Sequence, residues 1–301
     1  MPITLLIHGG AGTVREGDRA NYEAGLAEAR DAGFAVLAKG GSALEAVLGA
    51  LTLMEDNPLA FNAGTGGSPN RDGVVETDAA LMLSDGSCGA VAGLTVAQNP
   101  ILIADKVRTE TPHVFLVGAG ADALVDKPIV NSQLLTERTR AALERWRATD
   151  SGPVSSATVG AVALDERVTL AAATSTGGVL GKWPGRVGDS PLIGAGTYAN
   201  TQVAVSCTGQ GEAFIRAVTA KSLALRLEYG EALSLGLERA LKDVEEMGGT
   251  GGLICVTADG HIGFGHNAPH LAYAWKRAES REGAEAIQEA GVRLTPGIIL
   301  V

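Results

Sequence analysis

The sequence predicts an α/β fold of the α+β kind, in which two β-sheets pack face to face and helices cover their outer faces. Three observations lead to this prediction. Strand-like segments alternate with alanine-rich helices before residue 149, and longer β segments follow after residue 157. Several strands carry Val and Ala on both faces, which is typical of a sheet covered on both sides. Turn signals between neighbouring strands indicate a largely antiparallel pairing.

The first half of the chain supplies both helices and strands. Hydrophobic periodicity and cap residues define each element, with Ser42 as the residue that opens the second helix. The turn signal Ser84-Asp85-Gly86 predicts a hairpin. The predicted elements are a strand in 3–10, helices in 21–41 and 42–57, the hairpin of 74–83 and 88–96, a strand in 113–118 and a charged amphipathic helix in 132–148.

The second half is richer in strands and begins after a polar connector, "TDSGPVSSA", at 149–157. The predicted elements are a hairpin of 158–164 and 168–176, a strand in 202–209, helices in 212–230 and 231–249, a hairpin within 251–266 and a helix-like tail at 264–291. Each half lacks part of what a closed core needs. We therefore expect one domain whose chain is interrupted, and not two domains in tandem.

Composition and charge exclude several function classes. The formal net charge of −10, without a basic run to offset it, argues against a nucleic-acid partner. The first residues have no basic region before their short apolar stretch, and no segment is apolar enough to span a bilayer. Three widely spaced cysteines read as reduced core thiols, so we expect a cytoplasmic protein. The five histidines show no metal-ligand spacing, which makes a zinc site improbable.

Threonines gather at one end of the hairpin that follows the connector. If Leu164 pairs with Val168, Thr158 lies opposite Thr174 and diagonal to Thr176 on one face of the sheet. Threonine is a common strand residue, so this spacing alone favours a structural role. A free α-amine would change that, because its pKa of roughly 7.7–8.0 suits a general base for its own hydroxyl. Such an amine requires a cut directly before Thr158, and the connector supplies expendable residues there.

Two further segments carry groups with chemical potential. Arg186 and Asp189 lie in a glycine-containing loop, where their opposite charges suit the carboxylate and amine of a zwitterion, although a surface ion pair is the default for such residues. Thr208 and Gly209 end a strand before a helix, where backbone amides can hold an oxyanion or simply form an ordinary turn. The G-x-G-x-x-A pattern at 118–123 resembles a dinucleotide fingerprint, but a helix stands where its second strand is needed.

A series of motifs in one order resembles a known family nearly from end to end. The chain is similar to the plant-type asparaginase / isoaspartyl aminopeptidase (β-aspartyl-peptidase) branch of the N-terminal-nucleophile hydrolases. The motifs are "IHGGAG" at 7–12, "FNAGTG" at 61–66, "ETDAALM" at 76–82, "GAVAGLTVAQNPI" at 89–101, "TVGAVALD" at 158–165, "ATSTGG" at 173–178, "PGRVGDSPLIGAGTYA" at 184–199, "CTGQGE" at 207–212 and "GGTGGLI" at 248–254. Any one of them is a weak signal, whereas the ordered series is specific.

The resemblance implies a role for each catalytic candidate. It makes Thr158 the nucleophile both of self-cleavage and of turnover, with Thr176 as the hydroxyl that orients it. Thr208 and Gly209 correspond to the segment of the oxyanion hole. Asn62 matches the asparagine that faces the nucleophile. The implied fold is the four-layer αββα sandwich of these hydrolases. The implied enzyme class is a threonine-type peptidase, whose threonine attacks an amide and forms an acyl-enzyme.

The resemblance also implies a substrate site and a reaction. Arg186 and Asp189 match the groups that anchor the α-carboxylate and the α-amine, and Gly209 and Gly211 lie beside them. The reaction implied is release of ammonia from L-asparagine, or of an amino acid from a β-aspartyl dipeptide, through a β-aspartyl acyl-enzyme. No cofactor is required for this chemistry. A homodimer of processed αβ units is the implied assembly.

Processing at one peptide bond follows from the same resemblance. The single domain of 1–301 would be made as a precursor and cut between Ala157 and Thr158. This would give an α subunit of 1–157, ending in the connector, and a β subunit of 158–301. Many relatives carry Gly or Asp where this chain has Ala157, which concerns the rate of self-cleavage.

A structural sodium ion is a further implication, carried by the loop around Asn62. Family members bind the ion through backbone carbonyls, which would be those of Phe61, Ala63 and Thr65 here. The segment "EDNPLAFNAG" at 55–64 is one residue longer than the usual loop of the family.

Three alternatives remain open at this point. A glycosylasparaginase would cleave a sugar-linked asparagine, but aromatic residues make up only 4% of the chain and form no carbohydrate-stacking cluster. A relative that is not processed and acts as a binding protein is disfavoured by the full set of site residues. A dinucleotide-dependent oxidoreductase rests on 118–123 alone.

Overall fold

The computed structural model describes residues 1–149, 158–280, 287–293 and 296–301. The helices are α1 (Arg19–Ala38), α2 (Ala43–Asp56), α3 (Pro100–Glu110), α4 (Ala119–Asp122), α5 (Glu137–Thr149), α6 (Gly211–Ala217), α7 (Thr219–Glu228) and α8 (Leu233–Glu246). The strands are β1 (Ile3–Gly12), β2 (Thr77–Leu83), β3 (Cys88–Leu94), β4 (Phe115–Val117), β5 (Val159–Leu164), β6 (Leu170–Thr176), β7 (Thr197–Ala199), β8 (Val203–Gly209), β9 (Gly251–Thr257), β10 (Ile262–His266), β11 (His270–Ala278), β12 (Ile287–Arg293) and β13 (Gly297–Leu300). Within the described ranges, no helix is both long and apolar enough to cross a membrane.

The architecture is four layers, α-β-β-α, which confirms the predicted fold class. One sheet has eight strands in the order β12-β11-β1-β5-β6-β2-β3-β4, and the other has five in the order β13-β10-β9-β8-β7. Helices α1, α2 and α3 cover the larger sheet, while α7 and α8 cover the smaller one. Three apolar clusters fill the three interfaces between layers. Aliphatic strands covered on both faces are thus explained by the two central layers.

Strands from both sides of the connector share the larger sheet. β5 pairs with β1 on one side, and β6 pairs with β2 on the other. The strands that follow residue 157 therefore lie at the centre of a sheet whose neighbours come from the first half. The subunit boundaries and the cut itself stay predictions, because Ala157 and the connector residues from 150 lie outside the described residues.

The register predicted for the β5–β6 hairpin was wrong by two residues. Leu164 pairs with Leu170, and Val159 pairs with Ser175, so continuation of this register places Thr158 opposite Thr176 and not opposite Thr174. The cause is Asp165, whose Oδ1 accepts hydrogen bonds from the backbone amides of residues 167 and 169 and closes the turn one residue later than expected. Both threonines still lie on the predicted face, since a shift of two keeps the side chains on the same side.

Two predicted helical regions differ in the structure. The expected tail contains β11 and β12, because its Tyr273 and Trp275 alternate with alanines and pack into the core between the sheets. The helix predicted over 212–230 is broken into α6 and α7 at Val218, which adopts a left-handed conformation with φ of 48°. The fingerprint-like glycines near residue 118 lead only into the single turn of α4.

Buried Glu55 connects α2 to the larger sheet. Its Oε1 accepts hydrogen bonds from Ser175 Oγ at 2.6 Å and from the Ile101 amide at 3.1 Å. Burial raises the pKa of Glu55 from 4.5 to about 8, so the carboxyl is mainly protonated at neutral pH. The folded protein therefore takes up a proton that the unfolded chain holds only below its lower pKa.

Replacing Glu55 by Gln is expected to flatten the pH dependence of stability. In the parent, stability is fully present below about pH 4.5 and is lost as the pH rises through about 8, with a loss on the order of a few kcal/mol. Glutamine keeps the Oε1 acceptor and does not titrate. Urea unfolding at pH 5 and at pH 8.5 measures the effect. An equal change in unfolding free energy between these pH values in the two proteins would contradict the raised pKa of Glu55.

Candidate active site

Thr158 lies immediately before β5, in the middle of the larger sheet, and is 6% exposed. Its Oγ donates a hydrogen bond to Thr176 Oγ at 3.1 Å. Thr176 Oγ also accepts a hydrogen bond from the Gly178 amide at 2.9 Å, which fixes it from the loop after β6. The nucleophile candidate and its hydroxyl neighbour are thus in direct contact.

His8, which sequence reasoning did not single out, holds the backbone of Thr158. Its Nδ1 is 3.0 Å from the carbonyl oxygen of Thr158, and its Nε2 is 3.0 Å from Ser206 Oγ. Burial lowers the pKa of His8 to about 3, so the imidazole is neutral. Because a carbonyl only accepts, Nδ1 carries the proton and Nε2 accepts from Ser206. A polar residue inside the apolar strand "ITLLIHGG" was the available signal.

The hydrogen bonding of His8 continues through three hydroxyl groups, beginning with Ser206, in the interface between the sheets. Thr174 Oγ lies 2.7 Å from Ser206 Oγ and 2.7 Å from Thr197 Oγ. Thr197 Oγ is the donor to Thr174 Oγ, and it also lies 2.9 Å from the Ser190 carbonyl oxygen. We call Ser206, Thr174 and Thr197 the hydroxyl seam. It connects β6 of the larger sheet to β7 and β8 of the smaller one.

A small pocket opens beside Thr158, and Arg186, Asp189, Gly209 and Gly211 line it. Asp189 is 4% exposed, and its Oδ2 has no hydrogen-bond partner among the residues that the structure describes. Burial raises the pKa of Asp189 to about 7, because water is excluded and no cation compensates it fully. A Cβ at Gly211 would stand 2.9 Å from Arg186 Nη2 and 3.1 Å from Asp189 Oδ1, so only glycine leaves space here.

The salt-bridge partner of Arg186 is Glu212 and not Asp189. Arg186 Nε and Nη2 donate to the two carboxylate oxygens of Glu212, each at 2.9 Å. Glu212 is 65% exposed, whereas Arg186 is 16% exposed, so the guanidinium is held from its solvent side. Arg186 and Asp189 therefore face the pocket as separate groups of opposite charge. The sequence offered no sign of Glu212, since the pair is made across 26 residues.

Of the two residues predicted for the oxyanion hole, Gly209 lines the pocket and Thr208 does not. Gly209 lines the pocket with φ of +148°, and a Cβ there would approach Gly251 Cα to 2.5 Å. Thr208 is fully buried, and its Oγ accepts a hydrogen bond from the Ala11 amide at 3.1 Å. The backbone at Gly209 is thus the part of this segment exposed to a bound molecule.

Asn62 supports the site from behind and does not line the pocket. Its Nδ2 donates to the Gly178 carbonyl at 2.7 Å, and its Oδ1 accepts from the Ser68 amide at 2.6 Å. Gly178 is the residue whose amide binds Thr176 Oγ. Asn62 is therefore connected to Thr176, the neighbour of the nucleophile candidate, through one intervening glycine.

One of the three carbonyls expected to bind sodium is engaged within the protein. Phe61 O accepts a hydrogen bond from Arg138 Nη2 at 2.7 Å, and the same nitrogen lies 3.3 Å from Gly66 O. A sodium ion on the Phe61 carbonyl would adjoin this guanidinium charge, so Phe61 O does not suit the ion. The Thr65 amide donates to the Glu55 carbonyl at 2.7 Å, a bond that does not use the Thr65 carbonyl. Across the described residues, no three His, Cys, Asp or Glu side chains form a metal-binding group.

Comparisons with known proteins agree with this geometry. A family model described as Asparaginase matches residues 1–284. The chain is 41% identical to the isoaspartyl peptidase of Salmonella typhimurium over 90% of this chain and 94% of that protein. It is 40% identical to the plant-type L-asparaginase of Pyrococcus abyssi, over 96% and 100% of the two chains, and 40% identical to the isoaspartyl peptidase/L-asparaginase of Rattus norvegicus, over 86% and 81%. The chain therefore belongs to the asparaginase family of hydrolases.

Proposed function

We propose that this enzyme hydrolyses the side-chain amide of L-asparagine and the isopeptide bond of β-aspartyl dipeptides, with Thr158 as nucleophile. The observation that carries the proposal is the Thr158–Thr176 hydroxyl pair beside a pocket that holds Arg186 and Asp189. The names of the relatives support the same substrate classes: one is an isoaspartyl peptidase, one is an L-asparaginase, and the rat protein carries both names.

Arg186 and Asp189 would select the substrate by its free α-groups. The Arg186 guanidinium binds the α-carboxylate, and the ionised Asp189 carboxylate accepts hydrogen bonds from the α-ammonium. The bare Oδ2 of Asp189 gains its partner on binding. Whatever hangs from the β-amide nitrogen is then the leaving group, which explains why one site serves both asparagine and isopeptides.

Turnover would proceed by acyl transfer after the cut between Ala157 and Thr158 has freed the amine of Thr158. That amine takes the hydroxyl proton as Oγ attacks the β-carbonyl carbon. The backbone amide at Gly209 faces the developing oxyanion. The C–N bond breaks as the proton passes to the leaving nitrogen, and ammonia or an amino acid departs. Water then hydrolyses the β-aspartyl ester and releases aspartate, which regenerates the threonine.

Intact mass and product release together test this function. We expect the chain to be cut between Ala157 and Thr158 into two fragments. We also expect release of ammonia from L-asparagine and of leucine from β-Asp-Leu. An enzyme that is fully active while its chain stays intact would contradict the nucleophile assignment. A protein that releases neither product would contradict the function itself.

We also propose that turnover needs no metal ion, because the Arg138 guanidinium already binds the loop carbonyls of Phe61 and Gly66. Exchange of sodium chloride for choline chloride at equal ionic strength is expected to leave kcat/KM within about twofold. Charge screening is the same in both salts, so only a specific need for sodium would change the rate. Potassium chloride serves as the control salt. A loss in choline that sodium alone restores would contradict the prediction.

The assembly we propose is a homodimer of processed αβ units in the cytoplasm. The family resemblance supports the dimer, and light scattering during gel filtration tests it. Cys88, Cys207 and Cys255 are free thiols, and this supports a reducing compartment.

A further inference from the structure

A second cavity adjoins the site and has no role in the mechanism so far. This cleft of about 340 Å³ has six side chains around two glycines, namely Val179, Gln210, Glu212, Ala213, Arg216 and Met247. We call it the leaving-residue cleft. Its size is in the range of sites that bind small molecules.

The cleft adjoins the Thr158 pocket. Val179 lines both cavities, and it directly follows Gly178, whose amide binds Thr176. The segment 209–213 lies between the cavities, with Gly209 and Gly211 facing the Thr158 pocket and Gln210 and Ala213 facing the cleft. A group that leaves the β-carbonyl beside Gly209 therefore has a neighbouring space to occupy.

Arg216 supplies a positive charge to this space. Two backbone carbonyls orient its guanidinium: Nε donates to Glu212 O at 3.3 Å, and Nη2 donates to Met247 O. The salt bridges found among the described residues do not include Arg216. Three of its five N–H donors remain for a ligand. A planar guanidinium held in this way suits a carboxylate.

The remaining walls of the cleft suit an apolar side chain. Val179, Ala213 and Met247 contribute aliphatic surface, and the thioether of methionine adapts to different shapes. Glu212 is the acidic residue here, and it would repel a second carboxylate on the ligand beyond the one that Arg216 binds.

We propose that the leaving-residue cleft binds the amino acid released from a β-aspartyl dipeptide, with Arg216 holding its α-carboxylate. The inference rests on the proposed function and names its preferred substrates, dipeptides whose leaving residue is apolar and has a free carboxylate. L-Asparagine does not use the cleft, because its leaving group is ammonia.

Three substrates and four proteins test this inference. The substrates are β-Asp-Leu, β-Asp-Leu-amide and L-asparagine, and the proteins are the parent, Arg216→Gln, Arg216→Lys and the control Arg239→Gln. Arg239 is an exposed arginine on α8 outside the cleft, so its loss makes the same change in net charge. We expect the parent to favour β-Asp-Leu over its amide by about tenfold in kcat/KM.

The expected result is a selective loss. Arg216→Gln removes the preference for the free carboxylate and leaves L-asparagine turnover unchanged, Arg216→Lys retains part of the preference, and Arg239→Gln behaves as the parent. Unchanged β-Asp-Leu kinetics in Arg216→Gln, or an equal loss on all three substrates, would overturn the inference while the proposed function stands. A parent that hydrolyses none of the three would overturn both.

Discussion

Thr158→Ala is expected to yield an intact chain that releases neither ammonia from L-asparagine nor leucine from β-Asp-Leu. Its hydroxyl is the group bonded to Thr176, and alanine has no atom that can attack either the preceding carbonyl or the substrate. We expect kcat/KM to fall on the order of 10³-fold or more, as for loss of a nucleophile in other hydrolases. Intact mass and product assays on the same sample measure both effects.

Two control variants separate chemistry from folding in this experiment. Thr158→Ser keeps the hydroxyl, so partial cleavage and partial turnover are expected. Thr176→Val removes the hydroxyl that accepts from Thr158 but retains its β-branched shape, and it tests whether orientation matters to the attack. Substantial hydrolysis by Thr158→Ala, with unfolding free energy equal to the parent, would show that another residue is the nucleophile.

The kcat/KM of the parent is expected to rise with pH through about 7, and Asp189→Asn is expected to lack this rise. The pKa of Asp189 is raised to about 7 by burial, so the free enzyme carries a neutral carboxyl below that pH and an ionised one above it. Only the ionised form attracts the substrate ammonium strongly. Asp189→Asn should therefore lose about 10- to 100-fold in kcat/KM above pH 7, with less loss below it.

Comparison of kcat with kcat/KM identifies the group that titrates. The bound ammonium lowers the pKa of Asp189, so its ionisation should disappear from the profile of kcat, which reports the complex. The α-amine of Thr158, if it acts as the base, remains visible in both profiles and in Asp189→Asn. A profile of kcat/KM that is identical in Asp189→Asn and the parent would contradict the anchoring role.

Local sequence patterns predicted most elements. They failed where a side-chain hydrogen bond or a distant strand partner determines the local structure. The β5–β6 turn depends on Asp165, which bonds two backbone amides and shifts the closing pair. At the end of the chain, a helix-like composition concealed β11, whose strand conformation is determined by pairing with β1. Local propensity carries no information about such a partner, which is 258 or more residues away in sequence.

The site could be anticipated in its reacting groups but not in the residues that hold them. Thr158, Thr176, Arg186 and Asp189 were selected from motifs, and the structure brings all four to one pocket. His8 and Glu212 act through contacts between distant segments, to the Thr158 carbonyl and to Arg186. Motif spacing describes one stretch of chain at a time, so it does not reveal which stretches meet.

The hydroxyl seam gives the enzyme a fixed alignment between its two sheets. The larger sheet carries Thr158 and Thr176, while Gly209 belongs to the smaller one, so in the mechanism we propose the attacking oxygen and the oxyanion donor come from separate layers. Aliphatic contact between layers is non-directional and tolerates sliding. Hydrogen bonds from His8 through Ser206 and Thr174 are directional, and they fix the position of one sheet relative to the other. The surrounding apolar core is thereby free to vary in sequence while the distance across which the reaction occurs stays constant.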